Sequence, residues 1–110
     1  MISATRRLPR ADFAKYFKAG QRYQSPHFTL VINITSSPTK AAVVVSKKVA
    51  KSAVDRNRLR RRAYGVIATH PVFLGTGVYI LIYKAGALAS PRLSLAAELT
   101  LLLANSGKPR

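Results

Sequence analysis

The chain contains no cysteine, which excludes disulfides, thiol nucleophiles and cysteine-based zinc sites. It has only three acids in 110 residues, Asp12, Asp55 and Glu98. Two stand at expected helix starts and one on the expected last helix, so capping outweighs acid/base work as their reading. No apolar run reaches the ~18 residues of a membrane-spanning helix. The opening residues, Met1-Ile2-Ser3-Ala4-Thr5-Arg6-Arg7, lack the apolar segment of a secretory signal, and a cytoplasmic setting is the expectation. Glycine-rich phosphate loops, zinc spacings and nucleophile motifs are missing as well. His27 and His70 stand in no partner pattern and read as surface or turn residues. No catalytic side chain is expected.

Positive charge is what the chain has in excess. Nineteen Lys and Arg give a formal net charge of +16. Such a charge repels itself in a compact state and calls for a polyanionic partner, nucleic acid first and an anionic membrane surface second. Hydrophobic residues make up 48% of the chain, too many for a basic disordered tail and enough for one modest core. The charge is concentrated: eight of the sixteen residues from Lys47 to Arg62 are cationic, opposed only by Asp55.

Hydrophobic periodicity and punctuation outline a scaffold around this stretch. A helix is predicted over 9–19, with Pro9 at its first position, Asp12 in its first turn and Gly20 as its stop. Phe13, Tyr16 and Phe17 share one of its faces. A short extended piece over 21–25 follows. Residues 27–34 alternate as a strand buried on one face, Phe28, Leu30, Ile32 and Ile34, with His27, Thr29 and Asn33 on the other. Thr35 to Lys40 reads as a turn, so the β-branched run Ala41–Val45 is predicted to be a central strand, hairpin-paired to the first. Ser52-Ala53-Val54-Asp55 has the form of a capping box and opens a helix that runs to about Thr69, before Pro71. Leu59, Ala63, Val66 and Ile67 converge on its apolar arc, Arg58, Arg61 and Arg62 oppose them, and Asn57 and Arg60 flank. Gly75 and Gly77 bracket a loop before a third strand, Val78–Tyr83. Ser90-Pro91 starts a last helix with a stripe of Leu95, Leu99, Leu102 and Leu103. Residues 1–8 and 105–110 are expected to be loose.

The expected order is helix, strand, strand, basic helix, strand, helix. It describes a single α+β domain over 1–110, a mixed sheet packed by helices, with the last strand added in parallel through a βαβ unit.

Within the basic stretch, arginine supplies a planar fork that grips phosphate with two hydrogen bonds. A charge run is ordinarily a solvated face. Here the like-charged pairs Arg56/Arg60 and Arg58/Arg62 at i, i+4 destabilise a free helix, so an external anion is the better account. Asn57 adds a neutral donor and acceptor suited to backbone or base-edge contacts. Phe13, Tyr16 and Phe17 fit a core, and they also fit a stacking surface for unpaired bases. The last helix is too short to span a bilayer and lacks the Lys/Arg border of a surface-lying helix.

The segment from Val45 to Arg61, V-S-K-K-V-A-K-S-A-V-D-R-N-R-L-R-R, resembles the signature of the bacterial ribonuclease P protein family. There a strand ending in V-S-K-K leads through K-x-A-V-x-R-N-R into the so-called RNR helix. Asp12-Phe13 and Phe17 match the family's first helix, and the similarity covers most of the chain. The resemblance implies the accessory protein subunit of an endoribonuclease. Its catalytic ribonuclease P RNA uses Mg2+ to remove the 5′ leader from precursor tRNA, and the chemistry resides in the RNA. Motif match assigns Lys47, Lys48, Lys51, Arg56, Asn57, Arg58, Arg60 and Arg61 to that RNA. Phe13 and Phe17 correspond to a cleft between the first helix and the sheet that holds the single-stranded leader. No protein partner, membrane or protein-bound metal is implied. The family's left-handed βαβ crossover is expected from the resemblance alone, against the usual right-handed rule.

The chain departs from the pattern after Arg61, where the family commonly continues with an apolar residue and another Arg. Here Arg62 and Ala63 follow. Gly65 weakens the helix by about 1 kcal/mol relative to Ala, and Tyr64 receives no role. A ribosomal or general RNA-binding protein using the same helix is the competing reading, and a cationic membrane-active protein the third. The pairing of V-S-K-K with R-N-R favours the first.

Overall fold

The run from Val78 to Tyr83 is apolar on both faces, and it takes the middle of the sheet, where both faces are covered. The structure, a computed structural model, describes residues 6–106. The elements are α1 (Arg10–Ala19), β1 (Gln21–Gln24), β2 (Phe28–Pro38), β3 (Lys40–Val44), α2 (Ala53–Thr69), β4 (Thr76–Tyr83) and α3 (Arg92–Ser106). The sheet order is β1-β2-β4-β3, with β2 antiparallel to both β1 and β4, and β3 parallel to β4.

The α+β class and the parallel β3–α2–β4 unit agree with the sequence reading, but the pairing of β3 does not. The predicted hairpin between β2 and β3 is absent. β3 lies at the sheet edge and its partner is β4. The segment Thr35–Pro38, expected as part of a turn, instead prolongs β2 past a register shift between Asn33 and Pro38. The chain therefore reverses late, at Thr39, and β4 inserts between the two strands. The short piece at 21–25 is a true strand over Gln21–Gln24, adding an edge.

β2 was expected to bury one face, and it buries two. Phe28 and Leu30 join Tyr79, Leu81 and Tyr83 in the larger core, roofed by Leu59, Ala63 and Ile67 of α2 and by Leu95, Leu99 and Leu103 of α3. Val31, Val78 and Ile80 form a second, smaller core with Leu8, against which Phe13, Tyr16 and Phe17 of α1 pack. Ile34, expected on the buried face, is 96% exposed, because the strand has run past the helices that cover its earlier residues.

Residues 6–8 were expected to be loose and are docked. Leu8 donates its N–H to Ala41 O at 2.9 Å, and Arg7 bridges to Ala41 in parallel along the β3 edge. Arg6 donates to Thr39 O and Phe73 O, both at 2.7 Å, with its guanidinium 4.0 Å from the Phe73 ring centre. The Arg6 bonds satisfy one carbonyl where β2 turns into β3 and one in the helical turn at 71–74. Residues 105–106, expected to be loose, belong to α3, and the same expectation for 1–5 and 107–110 lies outside the described residues.

Two tyrosines tie the sheet to α2. Tyr83 donates its hydroxyl to Leu59 O at 2.8 Å, and the Tyr64 hydroxyl accepts from Val43 N at 3.2 Å, closing a donor of β3. Burial pushes the Tyr83 hydroxyl up to about 12, opposed by the nearby Arg62 charge, so it stays a donor at neutral pH. α1 is fixed by Asn33, whose Nδ2 donates to Tyr16 O at 2.7 Å. Pro9 is the N-cap of α1, one place before the predicted first position. At the other end, a Cβ on Gly20 would lie 2.4 Å from Val31 Cγ1, so the close approach of α1 to β2 demands glycine.

Candidate nucleic-acid interface

The basic stretch folds as a loop and a helix that leave most of their cations outward. Val45, Val49 and Ala50 are buried and anchor the loop, while Val49 N and Ala50 N both donate to Ser46 O. Lys47 and Lys48 lie between these anchors and Lys51 directly after them, and all three are exposed. Ser52 caps α2, its hydroxyl accepting from Val54 N at 3.2 Å. Leu59, Ala63, Tyr64 and Ile67 turn inward, as the predicted arc requires with Tyr64 added, and Val66 is half-buried.

The arginines of α2 divide into those held within the molecule and those not. Arg56 donates to Ala50 O at 3.0 Å and to Lys51 O at 2.7 Å, stapling the end of the loop to the first turn of the helix. Asn57 accepts from Arg60 at 2.6 Å, which orients the Arg60 guanidinium. Arg58 lies 3.4 Å from Asp55 in an exposed i, i+3 pair, an interaction of at most about 1 kcal/mol. Arg61 is exposed and Arg62 half-buried, and neither has a hydrogen bond or ion pair among the described residues.

None of the three acids serves them: Asp12 stands on α1, against the other face of the sheet. Asp55 faces Arg58, and Glu98 is committed elsewhere: it accepts from Ser25 Oγ at 2.6 Å and His27 N at 2.7 Å, with His27 Nδ1 at 2.8 Å. Burial alone would raise the Glu98 carboxyl, but the bonds from Ser25 and His27 and the facing imidazole outweigh it and hold it below its ordinary value. Glu98 is thus a clamp between α3 and the β1–β2 turn, in place of the expected cap. His27 is its partner, with Ser90 Oγ 3.1 Å from Nε2.

One residue of this region was missed. Arg7 reaches round the β3 edge and lies 5.4 Å from the Tyr64 ring centre. With Asn57, Arg60 and Arg61 it lines a groove of about 410 Å³. Its Nε is buried and has no hydrogen-bond partner. Nothing in the spacing of the chain signals this, because the contact depends on the docking of residues 6–8 onto β3.

Phe13 and Phe17 lie on the other face of the sheet. Their rings stack at 5.5 Å and 14°, half-exposed, and the Arg22 guanidinium stands 4.4 Å from the Phe17 ring centre. Lys15 is 5.2 Å from the Tyr16 ring centre. The pair is both packed on the smaller core and presented as an aromatic platform edged by cations. Among the described residues no group of three or more His, Cys, Asp or Glu side chains is placed to hold a metal, and no helix is long and apolar enough to cross a membrane.

Fold and surface together define a small α+β domain that turns a cationic loop and helix outward. The family model described as Ribonuclease P matches residues 3–106 of the chain. The "Ribonuclease P protein component" of Rippkaea orientalis is 38% identical over 81 residues, covering 68% of this chain and 64% of that protein. That of Synechococcus sp. strain JA-2-3B'a(2-13) is 34% identical over 110 residues, covering 94% and 83%. Against the first relatives matched, the chain thus spans about two thirds of their length or less. Among solved structures, the Staphylococcus aureus RNase P protein superposes with a TM-score of 0.84 at 22% identity, covering 96% of this chain and 97% of that one. The Thermotoga maritima RNase P protein gives 0.74 at 21% identity, covering 87% and 94%. The chain belongs to the ribonuclease P protein family.

Proposed function

We propose that the chain is the protein subunit of a ribonuclease P holoenzyme. It binds the catalytic RNA and the 5′ leader of precursor tRNA, and so assists removal of the leader to give the mature tRNA 5′ end. In this reading the RNA carries the chemistry with its magnesium ions, and no protein side chain is assigned to the metal or to the cleavage step. The setting is the cytoplasm.

The observation that carries the reading is the set of exposed cations on one loop and helix whose single acid, Asp55, is paired with Arg58. Lys47, Lys48, Lys51 and Arg61 are turned to solvent, while Glu98 is bound to Ser25 and His27, and Asp12 stands on α1 against the other face of the sheet. Phosphates of the catalytic RNA supply the missing anions, gripped in pairs by the guanidinium forks. Arg60, aligned by Asn57, and Arg58 complete the face, while Arg56 acts by shaping the loop. Phe13 and Phe17, with Arg22 alongside, offer unpaired leader bases a stacking platform and a cation for the backbone between them.

Affinity for ribonuclease P RNA tests this directly. It is expected to fall by roughly 0.7–0.9 log units per log unit of salt for each phosphate neutralised. Arg58→Glu is expected to lower both affinity and slope without unfolding the chain, because its pair with Asp55 contributes little. A flat salt response, or unchanged affinity in Arg58→Glu, refutes the assigned face.

A further inference from the structure

A second groove, of about 540 Å³, runs between α2 and α3 on the larger-core side of the sheet. That volume falls within the roughly 300–1,000 Å³ of ligand sites. Its floor is apolar, made by Phe28, Tyr83, Leu95 and Leu99. Its rim carries Arg61 and Arg62 from α2 and Arg92 from α3. None of the three has a hydrogen bond or ion pair among the described residues. Gly65 forms part of the wall, and a Cβ there would meet nothing within 4 Å. A mid-helix glycine weakens α2, and the space it leaves opens into this trough.

We propose that this groove takes one unpaired nucleotide of the partner RNA, its base over the apolar floor and its flanking phosphates on Arg61, Arg62 and Arg92. The proposal rests on the reading that α2 faces RNA. Charge complementarity selects the occupant: an apolar trough ringed by three unpaired guanidinium groups fits a flat base on an anionic backbone. Arginine also stacks on bases through its plane while its edge binds phosphate. Arg61 lines both this groove and the one beneath Arg7, so a strand crossing the exposed face of α2 at Arg61 meets the trough next.

Gly65→Leu tests the groove. The substitution fills the trough from open space and replaces a poor helix former, so thermal stability is expected to hold or rise. Affinity for ribonuclease P RNA is expected to fall roughly five- to hundred-fold, the range for one stacked base. Arg92→Glu, on the opposite wall, should weaken binding in the same range. A photo-crosslinking residue at position 96, which lines the groove, is expected to mark one unpaired nucleotide. Wild-type affinity in both variants, or a crosslink spread over paired stems, overturns the proposal. If these variants bind normally while Arg58→Glu does not, the groove alone falls. If the unaltered chain does not bind the RNA, the proposed function falls with it.

Discussion

Arg56 and Arg61 stand five residues apart in the same basic helix, and the structure gives them different work. Arg56 donates two hydrogen bonds, to Ala50 O and Lys51 O, and closes the Lys47–Lys51 loop onto α2. A hydrogen bond to a charged group nets about 1.5–3 kcal/mol in a buried setting. One of these two is half-buried and the other exposed, so together they contribute roughly 1.5–2.5 kcal/mol. Removing Arg56 also relieves its repulsion with Arg60, worth about 0.2–0.5 kcal/mol. Arg56→Ala is therefore expected to destabilise the fold by about 1–2 kcal/mol, a fall in Tm of roughly 4–8 °C for a domain of this size. Arg61 makes no such contacts, and Arg61→Ala should stay within about 0.5 kcal/mol of the unaltered chain. Thermal melts followed by circular dichroism at one fixed ionic strength read both, and RNA affinity at the same salt completes the comparison. Arg61→Ala is expected to lose affinity with stability intact, and Arg56→Ala to lose both. An Arg56→Ala melt that overlays the unaltered chain, or equal losses of stability in the two variants, refutes the division.

Gly20→Ala places a methyl 2.4 Å from Val31 Cγ1 and 2.8 Å from Asn33 Nδ2, and overpacking of this kind is expected to destabilise by about 1–3 kcal/mol. Gly65→Ala, with open space around it, should instead stabilise by about 0.5–1 kcal/mol; equal melting shifts would contradict the packing described for α1. Glu98 is held below its ordinary pKa, so its stabilisation is present above the usual carboxylate range and is lost as pH falls through the lowered folded value. Glu98→Gln should flatten that acid limb in a plot of Tm against pH, and an unchanged limb would rule out the clamp as its source. Phe17→Ala should weaken binding of leader-bearing precursor tRNA by roughly 1–3 kcal/mol while sparing leaderless tRNA; equal losses for both would remove the leader assignment.

Local signals were readable wherever a short-range rule governed the outcome. The Ser52 cap, the arc of Leu59, Ala63 and Ile67, the two-faced strand Val78–Tyr83 and the leucine stripe of α3 all appear where the residue pattern puts them. Pairing was harder. The Thr35–Lys40 segment has turn composition, yet β2 runs to Pro38, because pairing across the register shift, ending at Thr76, extends the strand past its apolar residues. That late reversal leaves room for β4 beside β2 and puts β3 at the edge, a matter of chain path that alternation does not encode. The site shows the same limit. The cationic stretch was plain in the sequence. That Arg56 is turned back onto the loop was not, nor that Arg7 joins the helix from the N-terminal segment. Glu98 and His27, 71 positions apart, meet only because α3 lies across the β1–β2 turn.

Reconstitution tests the central claim most directly. The purified chain is mixed with a bacterial ribonuclease P RNA and a precursor tRNA, at magnesium too low for the RNA alone to cleave. The account predicts correct release of the 5′ leader only when protein and RNA are both present. Tight binding to the RNA without any gain in cleavage, repeated with RNA from the cognate source, would contradict it and leave a general RNA-binding protein in its place.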